Sequence, residues 1–544
     1  MINVGVSKKD SNVFEYRLAM FGYGDEKHVM QNVDLPIYSR AFVIKDEWAK
    51  KKLAIVVIEV GAISDKLKKA VVEKLKTEAY SEENIMISAT HTHSAPGAHF
   101  GYLLYDLTAG GFNQSVFDKL VNAITLSIKE AEQNALEANI FYGEGEFHPS
   151  VEVAFNASME AYNANDDVKK YSRADHHLAT DKMMSLLHFK DVSGKIIGLI
   201  NWFGVHTTSI GKDNYKMSSD NKGYAAMFME KDMKIVAAFA QKPCADISPN
   251  FRWNEKRNKM TGKFDDDYAS AKYNGILQYE KAKKIIEDSE NTNALDGEIN
   301  YYLQYVDLSN TIIDAEFSAS KELIKTTPAA MGAAFARGMT DGFGLDRYSF
   351  QVLKFISFVS KSLSLFSARF KGRKKFAEIK NKYKLQGNKA VFLETTHPAI
   401  FNMKPSFFAY ALSPFDKVMR YLKAYAKAGS INHPWTPHLL PIQLITIGSF
   451  AVCGIPAEIS ITAGKRLQEY CLSILQKIGI EHIVIAPYSN GYAGYITTPE
   501  EYEVQAYEGG HTMFGKYSFL AFQTHFKKLC LTAVEKKAVS ILLI

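Results

Sequence analysis

The chain has 544 residues, is 47% hydrophobic and carries a formal charge of +6. That length can bury a sizeable core, and so mild a charge, with no basic patch interleaved with aromatics, argues against a nucleic-acid partner. The four cysteines, Cys244, Cys453, Cys471 and Cys530, form no CxxC pair. They exclude a thiolate zinc site and are expected as buried free thiols.

Residues Met1 to Asp10 are polar and lack the regions of a secretory signal. The chain is therefore expected to be intracellular, or numbered from a processed start. Strands are predicted near 41–45, 52–59 and 84–90, with helices near 63–77 and 115–132. The third strand ends abruptly in Thr90-His91-Thr92-His93-Ser94. Positions i and i+2 of a strand point to one side, so His91 and His93 can face one site. Two such histidines read either as a metal site or as polar surface. The same pattern then recurs. A strand near 196–204 runs into Val205-His206, and one near 235–240 runs toward Asp246-Ile247-Ser248-Pro249-Asn250. The charged stretch 250–330 contains a predicted helix at 268–286. Residues 348–375 combine Val352, Phe355, Ile356, Val359, Leu363 and Phe366 at helical spacing with Lys371, Arg373, Lys374 and Lys375. They read either as a membrane-surface helix or as an ordinary helix with a solvated basic end. Lys354 and Lys361 make the run too short and too charged to span a bilayer. A strand near 444–453 leads to Ile455-Pro456-Ala457-Glu458, followed by a helix near 460–476, interrupted early by Gly464, and a strand near 482–486.

Four apolar strands thus end in His, Ser or Glu. In open α/β sheets, function gathers outside the carboxyl ends of strands. Two imidazoles and a carboxylate form a common catalytic zinc set that leaves a position open for water. The fold class is α/β with a mixed sheet. Site residues spread from His91 to Glu458 must converge, so residues 1–544 read as one domain. A helical insertion around 345–390 is the candidate for a membrane-facing element.

These blocks carry a resemblance. Met20-Phe21-Gly22-Tyr23-Gly24, Ile37 to Ile44, Thr90 to Ser94, Asn201-Trp202-Phe203 with Val205-His206, Asp246 to Asn250, Thr340-Asp341-Gly342, Ile455 to Glu458 and Tyr495 to Glu508 resemble the neutral (non-lysosomal) ceramidases. Those are zinc amidohydrolases that cut ceramide into a sphingoid base and a fatty acid. The resemblance implies one zinc per chain on His91, His206, Glu458 and Tyr495. It also implies His93 as proton-transfer residue, Ser248 as the essential serine and Tyr507 facing the scissile amide. Asp246, Asn250 and Ala157 fall at substrate-binding positions. Ser248 reads either as a nucleophile or as a positioning residue. No Gly-x-Ser-x-Gly elbow surrounds it, and a zinc site already supplies a nucleophile, which favours positioning. With 29 tyrosines in the chain, spacing alone does not single out Tyr495.

The sequence departs from the family pattern in three places. Ala157 stands where the family has arginine, and Ala245-Asp246 replaces Gly-Asp. The sequence ends at Ile544, soon after Tyr507, so the family's C-terminal immunoglobulin-like domain is not expected in it. The loss of arginine keeps two alternatives open. One is a zinc amidase acting on another N-acyl lipid or N-acyl amino acid; the other is a lipid-binding protein without catalysis. The implied partners are a ceramide-like lipid and a membrane surface. Relatives of this type are commonly secreted or surface-bound, which sets a second expectation for location beside the intracellular one.

Overall fold

The computed structural model describes residues 1–289, 292–295, 298–318, 323–339 and 344–542, with the last four of these as backbone alone. The Thr340-Asp341-Gly342 motif lies outside the described residues. Two sheets dominate. The larger is built from β1 (Ile2–Asp10), β2 (Tyr38–Asp46), β3 (Lys51–Ile58), β4 (Ile85–Ala89), β5 (Leu136–Glu146), β6 (Met183–Asp191), β7 (Ile196–Phe203) and β8 (Val236–Gln241). Their spatial order is β8-β7-β6-β5-β1-β2-β3-β4. The smaller sheet is β9 (Ile299–Asp307), β10 (Leu439–Ile447), β11 (Phe450–Gly454) and β12 (His482–Ala486), in that order.

The apolar runs explain the layering. In β3 the six residues Leu53 to Ile58 are all buried, so both faces of the strand must be covered. Side chains alternate across a strand. Leu53, Ile55 and Val57 meet Ile445, Phe450, Val452 and Val484 of the smaller sheet in one core. Ala54, Val56 and Ile58 point the other way, toward Leu67, Val71, Leu120 and Ile124 of the helices Asp65–Leu75 and Gln114–Gln133. On the far side, Leu444, Cys453 and Ile485 pack against Leu467, Phe522 and Phe526 of the helices Ile461–Leu475 and Ser518–Leu542. The result is a four-layer sandwich, helices–sheet–sheet–helices. All four cysteines are buried and free, as the sequence suggests.

Most pairs in the larger sheet are antiparallel, but β3–β4 and β7–β8 are parallel and lie at its two edges. The sheet coils, and its edges come together. Gln241 Nε2 donates to Thr90 O at 2.9 Å and to Val205 O at 2.7 Å, and Thr92 bridges to Thr207. The segments after β4 and β7, which carry His91 and His206, thereby become neighbours. The helix expected near 460–476 runs unbroken from Ile461 to Leu475 with Ser460 as its cap. Gly464 does not interrupt it; it admits the Pro243 ring, with which a Cβ at this position would collide.

One ion cluster ties β2 to the helix Asp220–Met233. Arg40 Nη1 lies 2.7 Å from Glu59, and its Nε lies 2.7 Å from Glu230, with the arginine side chain 4% exposed. Removing one partner of a buried pair strands the other charge. Arg40→Leu is therefore expected to lower unfolding free energy by about 3–5 kcal/mol, read from the urea midpoint; a change below about 1 kcal/mol contradicts this.

Candidate active site

Four of the candidate residues lie beyond the carboxyl ends of strands of the two main sheets. His91 follows β4, His206 follows β7, Ser248 follows β8 and Glu458 follows β11. Glu458 and Tyr495 are direct partners in a short parallel bridge, which brings distant parts of the chain together.

Backbone carbonyls orient two of the imidazoles. His91 Nδ1 is 2.5 Å from Gly61 O, and His206 Nδ1 is 2.7 Å from Cys244 O. Donating at Nδ1 leaves the Nε2 lone pair free on each ring. Both Nε2 atoms point at the same carboxylate oxygen. His91 Nε2 is 3.3 Å and His206 Nε2 3.4 Å from Glu458 Oε2. Three acceptors facing one another, all buried, repel unless a cation joins them. Ligands 2.0–2.1 Å from a tetrahedral ion stand about 3.3–3.4 Å apart, which matches both separations. The ring nitrogens of His91, His93 and His206 lie within 4.8 Å of one another and can hold a metal ion. The donor set is imidazole and carboxylate, which suits zinc.

Strain and ring packing gather here. His91 has φ +69° and Tyr488 φ +54°, and their rings stack at 4.1 Å. Non-glycine residues hold that backbone region only where the surroundings enforce it. Tyr488 and Tyr492 both donate to Glu458, Tyr488 at 3.3 Å. Burial alone would push the Glu458 carboxyl up; positive charge shared with the facing imidazoles outweighs it and holds it well below the usual range, and a metal cation held by those rings in place of a proton would do the same. Burial, then the charge of Glu458, pushes the Tyr495 hydroxyl up. A bound cation would reverse that.

His93 Nε2 lies 3.1 Å from His91 Nε2, and His93 Nδ1 has no hydrogen-bond partner among the described residues. Burial, then His91 and His206, holds His93 well below its ordinary value, so its imidazole is neutral. Gly22, at φ +106°, lies against this ring, and any Cβ there would collide with it. Ser248 Oγ accepts the N–H of Asn250 at 3.0 Å.

Two adjoining pockets, of about 50 and 160 Å³, share Gly22, His93, Tyr495 and Tyr507. Ser248 and His206 line the smaller; His91 and Glu458 line the larger. The larger has an apolar wall of Leu104, Tyr105, Met331 and Phe335. Tyr507 stacks on Phe335 at 4.6 Å and meets the edge of Tyr495 at 5.4 Å.

The three positions assigned to substrate stand apart from these pockets. Asp246 accepts from Asn156 Nδ2 at 2.9 Å and from Ile461 N at 2.9 Å, so it anchors a loop and a helix start. Asn250 donates to Thr208 O at 2.8 Å. Ala157 donates its N–H to Asp246 O at 2.8 Å. Sequence reasoning misses Tyr488, Tyr492 and His511. His511 lines the larger pocket, and its Nδ1 has no partner among the described residues. A lone histidine carries no sequence signal. The turn-rich stretch after β12 is the available clue to the two tyrosines.

The chain matches the family described as neutral/alkaline non-lysosomal ceramidase, N-terminal, over residues 2–412 and 419–524. It is 30% identical to a neutral ceramidase of Pseudomonas aeruginosa over 98% of this chain and 72% of that one. It is 26% identical to a neutral ceramidase of Oryza sativa subsp. japonica over 96% of this chain and 73% of that one. Among solved structures, a ceramidase complexed with C2 superposes with TM-score 0.80 at 29% identity, over 98% of this chain and 75% of the other. The crystal structure of neutral ceramidase from Pseudomonas aeruginosa gives 0.78 at 28% identity, with the same coverage.

A ligand that binds only the folded state stabilises it by mass action, by about 2.7 kcal/mol at a hundredfold excess over Kd. Adding zinc to chelator-stripped protein should raise its melting temperature by several degrees, and His206→Ala should abolish the rise. An unchanged shift in that variant would exclude His206 from the metal set.

Proposed function

The chain belongs to the neutral/alkaline ceramidase family, and from that premise we propose that it hydrolyses the amide of ceramide or a ceramide-like N-acyl lipid with one zinc per chain. The observation that carries the reading is the convergence of His91 and His206 Nε2 on one Glu458 oxygen, at 3.3 and 3.4 Å, beside a pocket walled by Ser248, Tyr507 and apolar side chains. His91, His206, Glu458 and Tyr495 would hold the ion. When bound, zinc lowers the pKa of its water to about 7 and polarises the amide oxygen.

The chain's own residues supply the rest. Neutral His93, whose Nε2 is turned toward His91, takes the proton of the attacking water and returns it to the leaving nitrogen. The Tyr507 hydroxyl stabilises the developing oxyanion. Ser248 Oγ, fixed by the Asn250 N–H, orients the amide. The wall of Leu104, Tyr105, Met331 and Phe335 excludes water and receives an apolar chain.

A specific observation favours a second reading, an amidase for a different N-acyl lipid or N-acyl amino acid. Alanine at position 157 offers no cation to the nearby Glu508, which the adjacent Ser158 contacts. Glu508 Oε1 accepts from Ser158 at 2.5 Å, Oε2 has no partner among the described residues, and burial pushes the carboxyl up to about 7. A substrate panel of ceramides against N-acyl amino acids separates the two.

His93→Ala and Ser248→Ala should retain zinc by elemental analysis and lose activity by about 10²–10⁴-fold, the usual worth of general acid–base help. Rapid quench and mass spectrometry should find no acyl-enzyme. A trapped acyl group on Ser248 would replace the water mechanism with a nucleophilic serine.

A further inference from the structure

The insertion is built inside out. Residues Arg347–Phe370 and Arg373–Leu385 are helices, broken at Gly372, which has φ +101°. On the first helix the inward stripe is small: Ser357, Ser360 and Ala368 are its buried residues. The apolar stripe faces outward, with Phe355 66% exposed, Leu363 62%, Phe366 60% and Phe370 79%. A helix packed on a water-soluble body ordinarily does the reverse. Its small stripe locks it down, since Asn402 Nδ2 donates to Ser360 Oγ at 2.6 Å. The outward face is therefore set by packing.

A second exposed apolar element follows directly. The helix Pro405–Leu412 buries Ala409 but exposes Phe407 and Tyr410, and the turn after it exposes Phe415. Asn402, bonded to the first helix, lies just before this one, so the chain leads directly from one helix to the start of the other. Basic residues border both: Lys371, Arg373, Lys374 and Lys375 at one end, and Lys417 and Arg420 at the other, all exposed. No described helix is long and apolar enough to cross a membrane. The insertion also reaches the site. Phe335 stacks on Tyr507, and its short helix Ala333–Ala336 packs against the helix Arg347–Phe370. The helix that carries the exposed face therefore adjoins, through Phe335, the apolar wall of the larger pocket.

We propose that this face is a docking surface for an anionic lipid bilayer, which seats the pocket mouth at the membrane. The occupant follows from the chemistry of the patch. Exposed aromatic and aliphatic side chains enter the acyl boundary, and the basic border pairs with anionic headgroups. The inference rests on the lipid-amidase reading, because a substrate held in a bilayer must be collected there.

The test uses the full chain and vesicles of phosphatidylcholine, with and without phosphatidylserine. Two variants are compared with the parent: Phe355→Ser with Phe366→Ser and, equally exposed, Phe358→Ser; and Lys371→Glu with Arg373→Glu, Lys374→Glu and Lys375→Glu. The parent should sediment with phosphatidylserine vesicles, and both variants should lose roughly tenfold or more of that binding. Turnover of bilayer substrate should fall in parallel. Turnover of a short, soluble N-acyl substrate should stay unchanged, which also shows that each variant is folded. A parent that ignores vesicles overturns the proposal. So does a parent that sediments as a dimer, becomes monomeric in the phenylalanine variant and binds vesicles equally in both forms, since a second copy then covers the face. Vesicle binding by a parent that turns over neither substrate would sink the amidase reading and leave the docking surface standing.

Discussion

The site is organised by one buried negative charge. Glu458 is 1% exposed, and its carboxylate faces the lone pairs of two imidazoles. A buried carboxylate is costly unless it is paired. Tyr488 and Tyr492 offset part of that cost through hydrogen bonds, and a cation held by the histidines would offset the rest. The carbonyls of Gly61 and Cys244 fix the imidazoles from behind. The orientation of both rings is thereby set by the backbone just past the strand ends.

The two-sheet sandwich makes this convergence possible. Coiling of the larger sheet joins its edges, so His91 and His206 arrive from opposite ends of one sheet. The smaller sheet delivers Glu458 and, through the Glu458–Tyr495 bridge, the tyrosine-rich segment. Core packing and site geometry are therefore linked: a shift of one sheet against the other would separate the histidines from the carboxylate.

Much of this is legible in the sequence. The apolar strands ending in His91, His206 and Glu458 announce both the sheet and the site, because buried strands are continuous apolar runs and their ends carry the polar residues. The helices Gln114–Gln133 and Asp267–Asp288 fall where periodicity places them. Pairing of the strands is not legible, since order in a sheet depends on contacts between distant segments. Tyr488 and Tyr492 are hidden among many tyrosines, and only the fold shows which of them reach Glu458. The insertion shows the opposite limit. Its spacing reveals a helix with an apolar stripe, but which stripe faces outward is decided by the serines that pack beneath it.

The central claim is that an ion joins His91, His206 and Glu458. X-ray absorption at the zinc edge of the active protein tests it most directly. The expected result is a sulfur-free shell of nitrogen and oxygen ligands at about 2.0–2.1 Å, with two imidazoles, and loss of one imidazole in His206→Ala. A shell that is unchanged by that substitution, or full activity with no zinc present, would contradict it.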